Sequence, residues 1–553
     1  MPGINEPHYL SKAKAFTDSD WCNGDLFLES ANAHYVFFAL TGPLTTVLSL
    51  PAVAVIGRLG SFLLMAIGWT SLSRRLGLRA VAIPIAAAAW CGISLTGNLS
   101  GEWVIGGYEG KVPSYAFALL GVSVWISAWQ RRSWQRYALS GCCFGASISL
   151  HPVVGAWFCV AIAVAETILH LWPRGTSPTP DHPRTTSVAA DPSSVAQADE
   201  VLLIPRRPHV SFLKDGLVFV IASTIVALPG LIPAATMILN SELPQDDVDR
   251  ANYIQVFWRL KHHLDPTEFP VAAWIHSAAL LLTSLLTVCA VTRFDTRPAQ
   301  DPAEPVSVEH ADNSPLRIAQ SWRLWWALLL VALLIAAAGV AIGWHSGPIL
   351  KTEGWQWRAS LLKFYPFRLF DAMLPMTFGL SAALLTRLIP PPRRHSISLC
   401  VLLLIIVSTL FGAFQQRREA PPGYSPTAFV AWKDAGRWIQ NNLPPDALVY
   451  GPRESFGFYW HMHRAQYVCF KDCPQDTPGI LEWNSRLWDM HHWSERAYAD
   501  QNFDVAETEE LYRKFGITHL ITRQLGPFEA EPIYRNDVWR IYDVRPAIFA
   551  ADP

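Results

Sequence analysis

The sequence predicts a polytopic α-helical membrane protein of about 10-11 transmembrane helices with a small C-terminal extracytoplasmic domain of α/β or α+β type. Two observations predict this class. Of the 553 residues, 51% are apolar and only 16% are charged, which is too apolar for a soluble multidomain protein. Many apolar runs also reach the roughly 20 residues that a helix needs to cross a bilayer. The formal net charge of -1 gives no reason to expect nucleic acid as a partner.

The chain divides into three parts by composition. Residues 1-32 predict an outward first loop, residues 33-415 a multi-span transmembrane domain, and residues 416-553 a soluble extracytoplasmic domain. Inside the middle part, the apolar runs that predict spans are 51-73, 80-97, 113-130, 136-150, 152-172, 212-239, 271-292, 322-343, 362-389 and 396-414. Two stretches between them, 173-211 and 293-321, are rich in Pro, Ser, Thr and Asp and predict disordered cytoplasmic linkers.

Basic residues in the short loops predict the orientation of the spans, since Lys and Arg concentrate on the cytoplasmic side. They cluster after the first, third and ninth spans, at Arg74, Arg75, Arg79, Arg131, Arg132, Arg136, Arg387, Arg393 and Arg394. The loops at 98-112, 240-270 and 344-361 are therefore expected to face outward together with the C-terminal domain. For a bacterial protein this membrane would be the inner (cytoplasmic) membrane.

The apolar stretch 33-50 leaves two arrangements open. If it lies along the membrane surface, Met1, Asp18 and Asp20 face outward, which calls for a span or leader upstream of Met1 to carry them across. If it crosses the membrane, both aspartates are cytoplasmic and cannot take part in outward chemistry. We adopt the first arrangement.

Periodicity predicts the elements of the C-terminal domain. Residues 427-442 place apolar side chains at helical spacing and end before Pro444-Pro445. Residues 447-451 and 518-522 predict buried strands, 506-515 a second helix, and the last segment a hairpin that turns at 535-537. Aromatic and His residues between 456 and 493 predict either a carbohydrate-stacking surface or packing of the domain onto the membrane face.

The first loop holds the candidate catalytic residues, Asp18 and Asp20. Two carboxylates that are two residues apart on a loop can share a divalent cation such as Mg²⁺ or Mn²⁺, or one of them can act as a general base. The alternative is that both are ordinary solvated acids of a polar loop.

Candidate substrate- or phosphate-binding residues follow in the outward loops. Glu109 and Lys111 precede a span, where a cation can hold a lipid phosphate and an acid can position it. His151 lies at the junction of two spans, and a His at membrane depth is a functional candidate. Further cations with phosphate-binding chemistry are Arg259, His262 and His263, with Arg358, Lys363 and Arg368 near the ninth span. Structural roles, as interfacial ion pairs, helix caps or lipid-facing cations, are the alternative for each.

These features resemble the GT-C class of membrane glycosyltransferases. The resemblance covers nearly the whole chain as architecture and is carried by Asp18-x-Asp20 in the first outward loop and Glu109-x-Lys111 in the second. The segment R-x-x-H-H-L-x-P, from Arg259 to Pro266, is similar to one in uncharacterised bacterial membrane proteins related to that class. The chain departs from the pattern by lacking a first span before Asp18.

The resemblance implies transfer of a sugar from a polyprenyl-phosphate lipid donor to a glycan, lipid or protein acceptor at the outer face. Asp18 or Asp20 would take the acceptor proton, and Lys111, Arg259 and His262 or His263 would stabilise the phosphate. Two alternatives from other classes stay open, a transporter or lipid flippase and a non-catalytic envelope scaffold. Few ionisable residues near span centres argue against transport.

Overall fold

A computed structural model describes residues 3-78, 81-171, 209-239, 242-294, 315-415 and 419-546. These residues are mostly helical, and eight of their helices are long and apolar enough to cross a membrane. The eight are Leu50–Arg75, Lys111–Arg131, Pro152–Leu171, Ser211–Met237, Val271–Arg293, Arg317–Gly343, Arg368–Leu388 and Arg393–Gln415. The helical membrane class is thereby supported, and a bilayer is the environment that such helices require.

The remaining predicted spans differ in length. Residues 80-97 form the 13-residue helix Ala82–Ser94, which at about 1.5 Å per residue is shorter than the roughly 30 Å hydrocarbon layer. Residues 136-150 form Trp134–Leu150. The predicted span 362-389 is broken, because the short helix Trp355–Leu362 ends before Pro366 and a new helix begins at Arg368. A residue that precedes proline disfavours the right-handed helical region, which is consistent with a helix break at this point. Tyr365, directly before Pro366, has a φ of +56°, in the left-handed region.

Within the predicted outward first loop, residues 1-32, the structure contains the helices Glu6–Thr17 and Leu26–Glu29. Asp25 is the N-cap of Leu26–Glu29, since its side chain accepts a hydrogen bond from the Leu28 backbone N–H. The stretch 33-50 forms the 13-residue helix Tyr35–Val47, which packs against Glu6–Thr17 and ends before the first long helix. By length it is too short to cross a membrane alone.

The ends of both predicted linkers belong to neighbouring helices in the structure. Residues 209-211 belong to the helix His209–Leu239, 293-294 to Val271–Phe294, and 315-321 to Pro315–Gly343. These helices extend beyond the predicted apolar spans by between less than one turn and about two turns. The rest of each linker lies outside the described residues.

The C-terminal domain contains a five-stranded sheet in the order β2-β1-β3-β5-β4. Its strands are β1 (Leu448–Tyr450), β2 (Ala465–Gln466), β3 (His519–Thr522), β4 (Tyr534–Arg535) and β5 (Arg540–Asp543). β1 pairs in parallel with β2 and β3, while β5 pairs antiparallel with β3 and β4. The predicted helices and strands are confirmed as Pro426–Asn442, β1, Val505–Phe515, β3 and the terminal hairpin. The long helix Thr477–Asp500 was not predicted.

The N-terminal segment joins the C-terminal domain to the helical part. Asp25, fully buried, accepts hydrogen bonds from the Gln466 backbone N–H at 2.8 Å and the Tyr459 hydroxyl at 3.1 Å. His8 lies 2.8 Å from Asp472. On its other side the same segment contacts the loop before Lys111, since the Glu6 carboxylate accepts a hydrogen bond from the Tyr108 N–H. Residues 1-32, this loop and the C-terminal domain therefore lie on one side of the helical layer.

Candidate functional site

The loop 95-110 connects Ala82–Ser94 to Lys111–Arg131 and is held in place by Asp371. The Asp371 carboxylate accepts hydrogen bonds from the Leu99 N–H at 3.0 Å and from the Ser100 N–H and hydroxyl, both at 2.7 Å. A buried carboxylate is stabilised by several such donors. Asp371 therefore fixes the loop to the helix Arg368–Leu384, and its oxygens are already occupied by the protein.

Four charged side chains of alternating sign lie together beside this anchor. We name them the buried charge cluster: Glu102, Lys111, Glu109 and Arg368. Arg368 Nε lies 2.9 Å from Glu102 Oε2. Lys111 Nζ lies 3.7 Å from Glu102 Oε1 and 3.7 Å from Glu109 Oε1. Two carboxylates and two cations balance each other, as buried charges must. The Lys111 ammonium is the more loosely held cation, because both of its distances exceed a close hydrogen bond.

The two carboxylates of the cluster differ in their acid–base behaviour. Burial raises the pKa of Glu102, but the charges of Arg368 and Lys111 outweigh burial, so that the net pKa lies below its ordinary value. Burial also raises the pKa of Glu109, and there Lys111 and the Asn5 amide at 3.0 Å only partly oppose it, so the net pKa is raised. Glu102 is thus a fixed anion, whereas Glu109 has the properties of a general base.

Two histidines and a tyrosine border the cluster. His151 Nε2 lies 3.4 Å from Arg368 Nη1, and the His151 ring packs on the His34 ring with centroids 4.5 Å apart. Tyr9, from the helix Glu6–Thr17, places its hydroxyl 3.5 Å from His34 Nε2. Burial lowers the pKa of His34 to about 3, so its imidazole is neutral at pH 7. These groups offer neutral hydrogen-bonding atoms beside the charges.

The structure brings together three of the predicted binding residues, Glu109, Lys111 and His151. His263 reaches the edge of the same region, since its Nδ1 lies 2.5 Å from the carbonyl oxygen of Ser100. Burial lowers the pKa of His263 to about 4, which argues against a cationic role in binding phosphate. The His262 ring packs on the His263 ring, with centroids 4.1 Å apart and the ring planes tilted by 43°.

Arg259 is directed away from the cluster. Its Nη2 donates to the carbonyl oxygen of Lys471 at 2.9 Å, and its guanidinium lies 4.9 Å from the centroid of the Phe470 ring. Arg259 therefore ties the loop 240-270 to the C-terminal domain, and the structure gives it a docking contact rather than a place beside Lys111.

Asp18 and Asp20 lie at the surface, in the turn that ends the helix Glu6–Thr17. Asp18 pairs with Lys14 at 3.2 Å and its side chain is 40% exposed, and Asp20 is exposed. Within the described residues no group of three or more His, Cys, Asp or Glu side chains is arranged for a metal ion. Asp18 is paired with a lysine and Asp20 is exposed, so a divalent cation at these two residues stays a prediction.

Sequence reasoning missed the pairing of Glu102 with Arg368 and the anchoring role of Asp371. From the sequence, Arg368 was placed only as one of three cations near the ninth span, and Asp371 was given no role. The signal that was available is the coincidence of acids and cations at the ends of apolar runs, where unpaired charges are costly.

The cluster can bind a phosphate and accept a proton at neighbouring points. Lys111 and Arg368 supply positive charge, and Glu109 supplies a carboxyl with a raised pKa close to Lys111. A substrate phosphate at Lys111 would lie near the carboxyl that takes the proton, which is the arrangement required for attack on a phosphate-linked carbon.

Comparison with known proteins adds one finding. A family profile described as "Domain of unknown function (DUF6798)" matches residues 430–490. The matched part runs from the helix Pro426–Asn442 through β1 and β2 into the helix Thr477–Asp500. No curated protein matches the chain. The chain is thus similar, over part of its C-terminal domain, to a family without an assigned function.

Proposed function

We propose that the chain is a GT-C-like inverting glycosyltransferase that moves a sugar from a polyprenyl-phosphate donor to an envelope acceptor. The observation that carries the proposal is the buried charge cluster, in which a carboxyl of raised pKa adjoins a loosely held lysine beside the long apolar helices. The general resemblance of the span pattern to GT-C enzymes supports the same class.

In the proposed reaction Glu109 takes the proton of an acceptor hydroxyl as that oxygen attacks the anomeric carbon of the donor sugar. The bond between this carbon and the lipid phosphate oxygen breaks, and the carbon inverts. Lys111 and Arg368 stabilise the negative charge that grows on the departing phosphate. Glu102 holds both cations in position, and Asp371 holds the loop that carries Glu102.

The proposal assigns the reaction to the outer face of a bacterial inner membrane. The three basic clusters at the ends of the spans favour this orientation of the loop 95-110 and the C-terminal domain. Protease added to intact spheroplasts should cleave the C-terminal domain. Protection of the domain in intact spheroplasts, with cleavage after lysis, would contradict the orientation.

The activity is tested with purified full-length protein in lipid nanodiscs and a panel of polyprenyl-phosphate hexoses, pentoses, N-acetylhexosamines and uronates. Envelope extract supplies the acceptor, and release of polyprenyl phosphate is measured. We expect acceptor-dependent release from at least one donor, slowed about 10²- to 10⁴-fold in Glu109→Gln. A wild-type protein that releases nothing from any donor contradicts the proposal, and transfer of an intact donor across liposomes would favour a transporter.

A further inference from the structure

A cleft of about 620 Å³ lies at the carboxyl ends of β1 and β3 in the C-terminal domain. The two strands are parallel neighbours, and the segments that follow them, 451-453 and 523-525, line the cleft. From β1 the chain turns to β2 on one side, whereas from β3 it turns to the antiparallel strands on the other. Such a divergence opens a crevice that α/β sheets commonly use to bind ligands. The volume is in the range of roughly 300-1,000 Å³ found for small-molecule sites.

Two arginines line this cleft without a carboxylate partner among the described residues. The Arg453 guanidinium lies 4.8 Å from the centroid of the Phe470 ring. That of Arg523 lies 5.7 Å from the rings of both Tyr424 and Trp539, and its hydrogen bond is a 3.4 Å contact with a carbonyl oxygen. A guanidinium that rests on a ring keeps most of its five N–H donors for a ligand. Glu454 is the single acid among the described lining residues, so the cations outnumber it.

Aromatic side chains form the rest of the cleft wall. Trp488, on the helix Thr477–Asp500, is 49% exposed although it is a large apolar side chain. Trp258 enters from the loop 240-270 and packs against Trp483, with ring centroids 5.5 Å apart and the ring planes tilted by 56°. Trp258 and Trp488 also line a second cavity of about 630 Å³. The two cavities adjoin at these Trp side chains and together form one groove, which suits an elongated ligand. Asp246 and Asp249 line the second cavity, whereas the two arginines line the first, so a carboxylate of the ligand is expected in the first cavity.

We propose that this groove binds an acidic saccharide, a glycan chain whose sugar units carry carboxylates. The apolar faces of sugar rings pack on exposed Trp and Tyr side chains. The Trp indole N–H donates a hydrogen bond, and the Tyr hydroxyl donates or accepts one. A carboxylate on the same chain is held by the paired N–H donors of arginine. Trp258 belongs to the segment that continues to His263 and thereby to the loop of the buried charge cluster. The role of the groove as the acceptor subsite rests on the proposed function, whereas binding itself does not.

The test is a calorimetric titration of full-length protein in lipid nanodiscs, with no donor lipid present. The probe is a tetrasaccharide of alternating glucuronate and N-acetylglucosamine, compared with neutral chitotetraose and with inorganic phosphate. We expect the acidic probe to bind, and Arg523→Gln and Trp488→Ala each to weaken it about tenfold or more. Arg523→Lys should lose less than Arg523→Gln, because it keeps the charge. Matched controls at exposed positions are Arg437→Gln and Trp344→Ala, which should leave binding unchanged.

Four results would overturn the proposal. The first three are absence of binding by the folded wild-type protein at millimolar probe, equal binding of the neutral tetrasaccharide, and binding of phosphate as tight as that of the acidic probe. The fourth is equal affinity of wild type and both cleft variants for the acidic probe. The binding experiment contains no donor, so its result does not depend on glycosyl transfer. Loss of glycosyl transfer with intact binding contradicts only the proposed function. Loss of binding with intact glycosyl transfer contradicts only this inference.

Discussion

Replacing Asp25 by Asn tests how the N-terminal segment is held on the C-terminal domain. Asp25 Oδ1 accepts from the Leu28 N–H at 2.9 Å and the Tyr459 hydroxyl, and Oδ2 accepts from the Gln466 N–H at 2.8 Å. Asn keeps an oxygen for the first two contacts but turns an NH₂ group toward the Gln466 N–H. The variant therefore loses one hydrogen bond to a charged acceptor and leaves two buried donors facing each other, which costs about 2-3 kcal/mol.

Hydrogen–deuterium exchange of peptides that cover 24-32 and 464-470 measures this cost directly. Burial raises the pKa of Asp25 to about 7, so the experiment is run at pH 8, where the carboxyl is ionised. We expect exchange at these amides to accelerate roughly 30- to 150-fold in Asp25→Asn. Asp18→Asn, which removes an exposed pair with Lys14, serves as the control and should change exchange less than about threefold. Acceleration below threefold in Asp25→Asn would refute the role of Asp25 in holding the N-terminal segment on the C-terminal domain.

The remaining predictions concern the buried charge cluster. Arg368→Gln should destabilise the detergent-solubilised protein by about 3-5 kcal/mol, and Glu102→Gln added to it should recover part of the loss. A thermal unfolding temperature that falls equally in the single and the double variant would count against the pairing of Glu102 with Arg368. The value of kcat/KM should rise with pH as Glu109 loses its proton. The midpoint of this rise should lie above the ordinary pKa of a glutamate side chain. Since Lys111 opposes the dominant effect of burial, Lys111→Gln should shift that midpoint upward; an unshifted midpoint would argue against Glu109 as the base. Asp371→Ala should speed hydrogen exchange in the loop 95-110 relative to the core helices, and unchanged exchange would contradict the anchoring role.

Local sequence signals predicted most of the secondary structure. The helix Pro426–Asn442 and the strand β3 follow from side-chain periodicity alone, and the long apolar helices follow from length and composition. The break before Arg368 was missed because the apolar run continues through it, although Pro366 supplies the steric reason. The helix Glu6–Thr17 was missed because its segment, EPHYLSKAKAFT, is polar overall and shows little apolar periodicity.

The candidate site was predictable only in its local half. Glu109 and Lys111 are close in sequence, so their joint placement at a span end could be inferred. Glu102 and Arg368 are more than two hundred residues apart in the sequence, and a single sequence carries no signal for their pairing. Asp18-x-Asp20 was prominent as a motif, yet the turn that follows the first helix leaves it on the surface. A motif supplies chemistry, whereas burial and partners depend on the fold.

The most direct test compares the rates of donor-lipid cleavage in Glu109→Gln and in the double variant Asp18→Asn/Asp20→Asn. Both variants remove carboxylate charge without changing side-chain volume, and both are measured in nanodiscs with the donor that wild type consumes. If the buried charge cluster carries the reaction, the rate falls about 100-fold or more in Glu109→Gln and stays close to the wild-type rate in the double variant. A near wild-type rate in Glu109→Gln, with activity lost in Asp18→Asn/Asp20→Asn, would contradict the account.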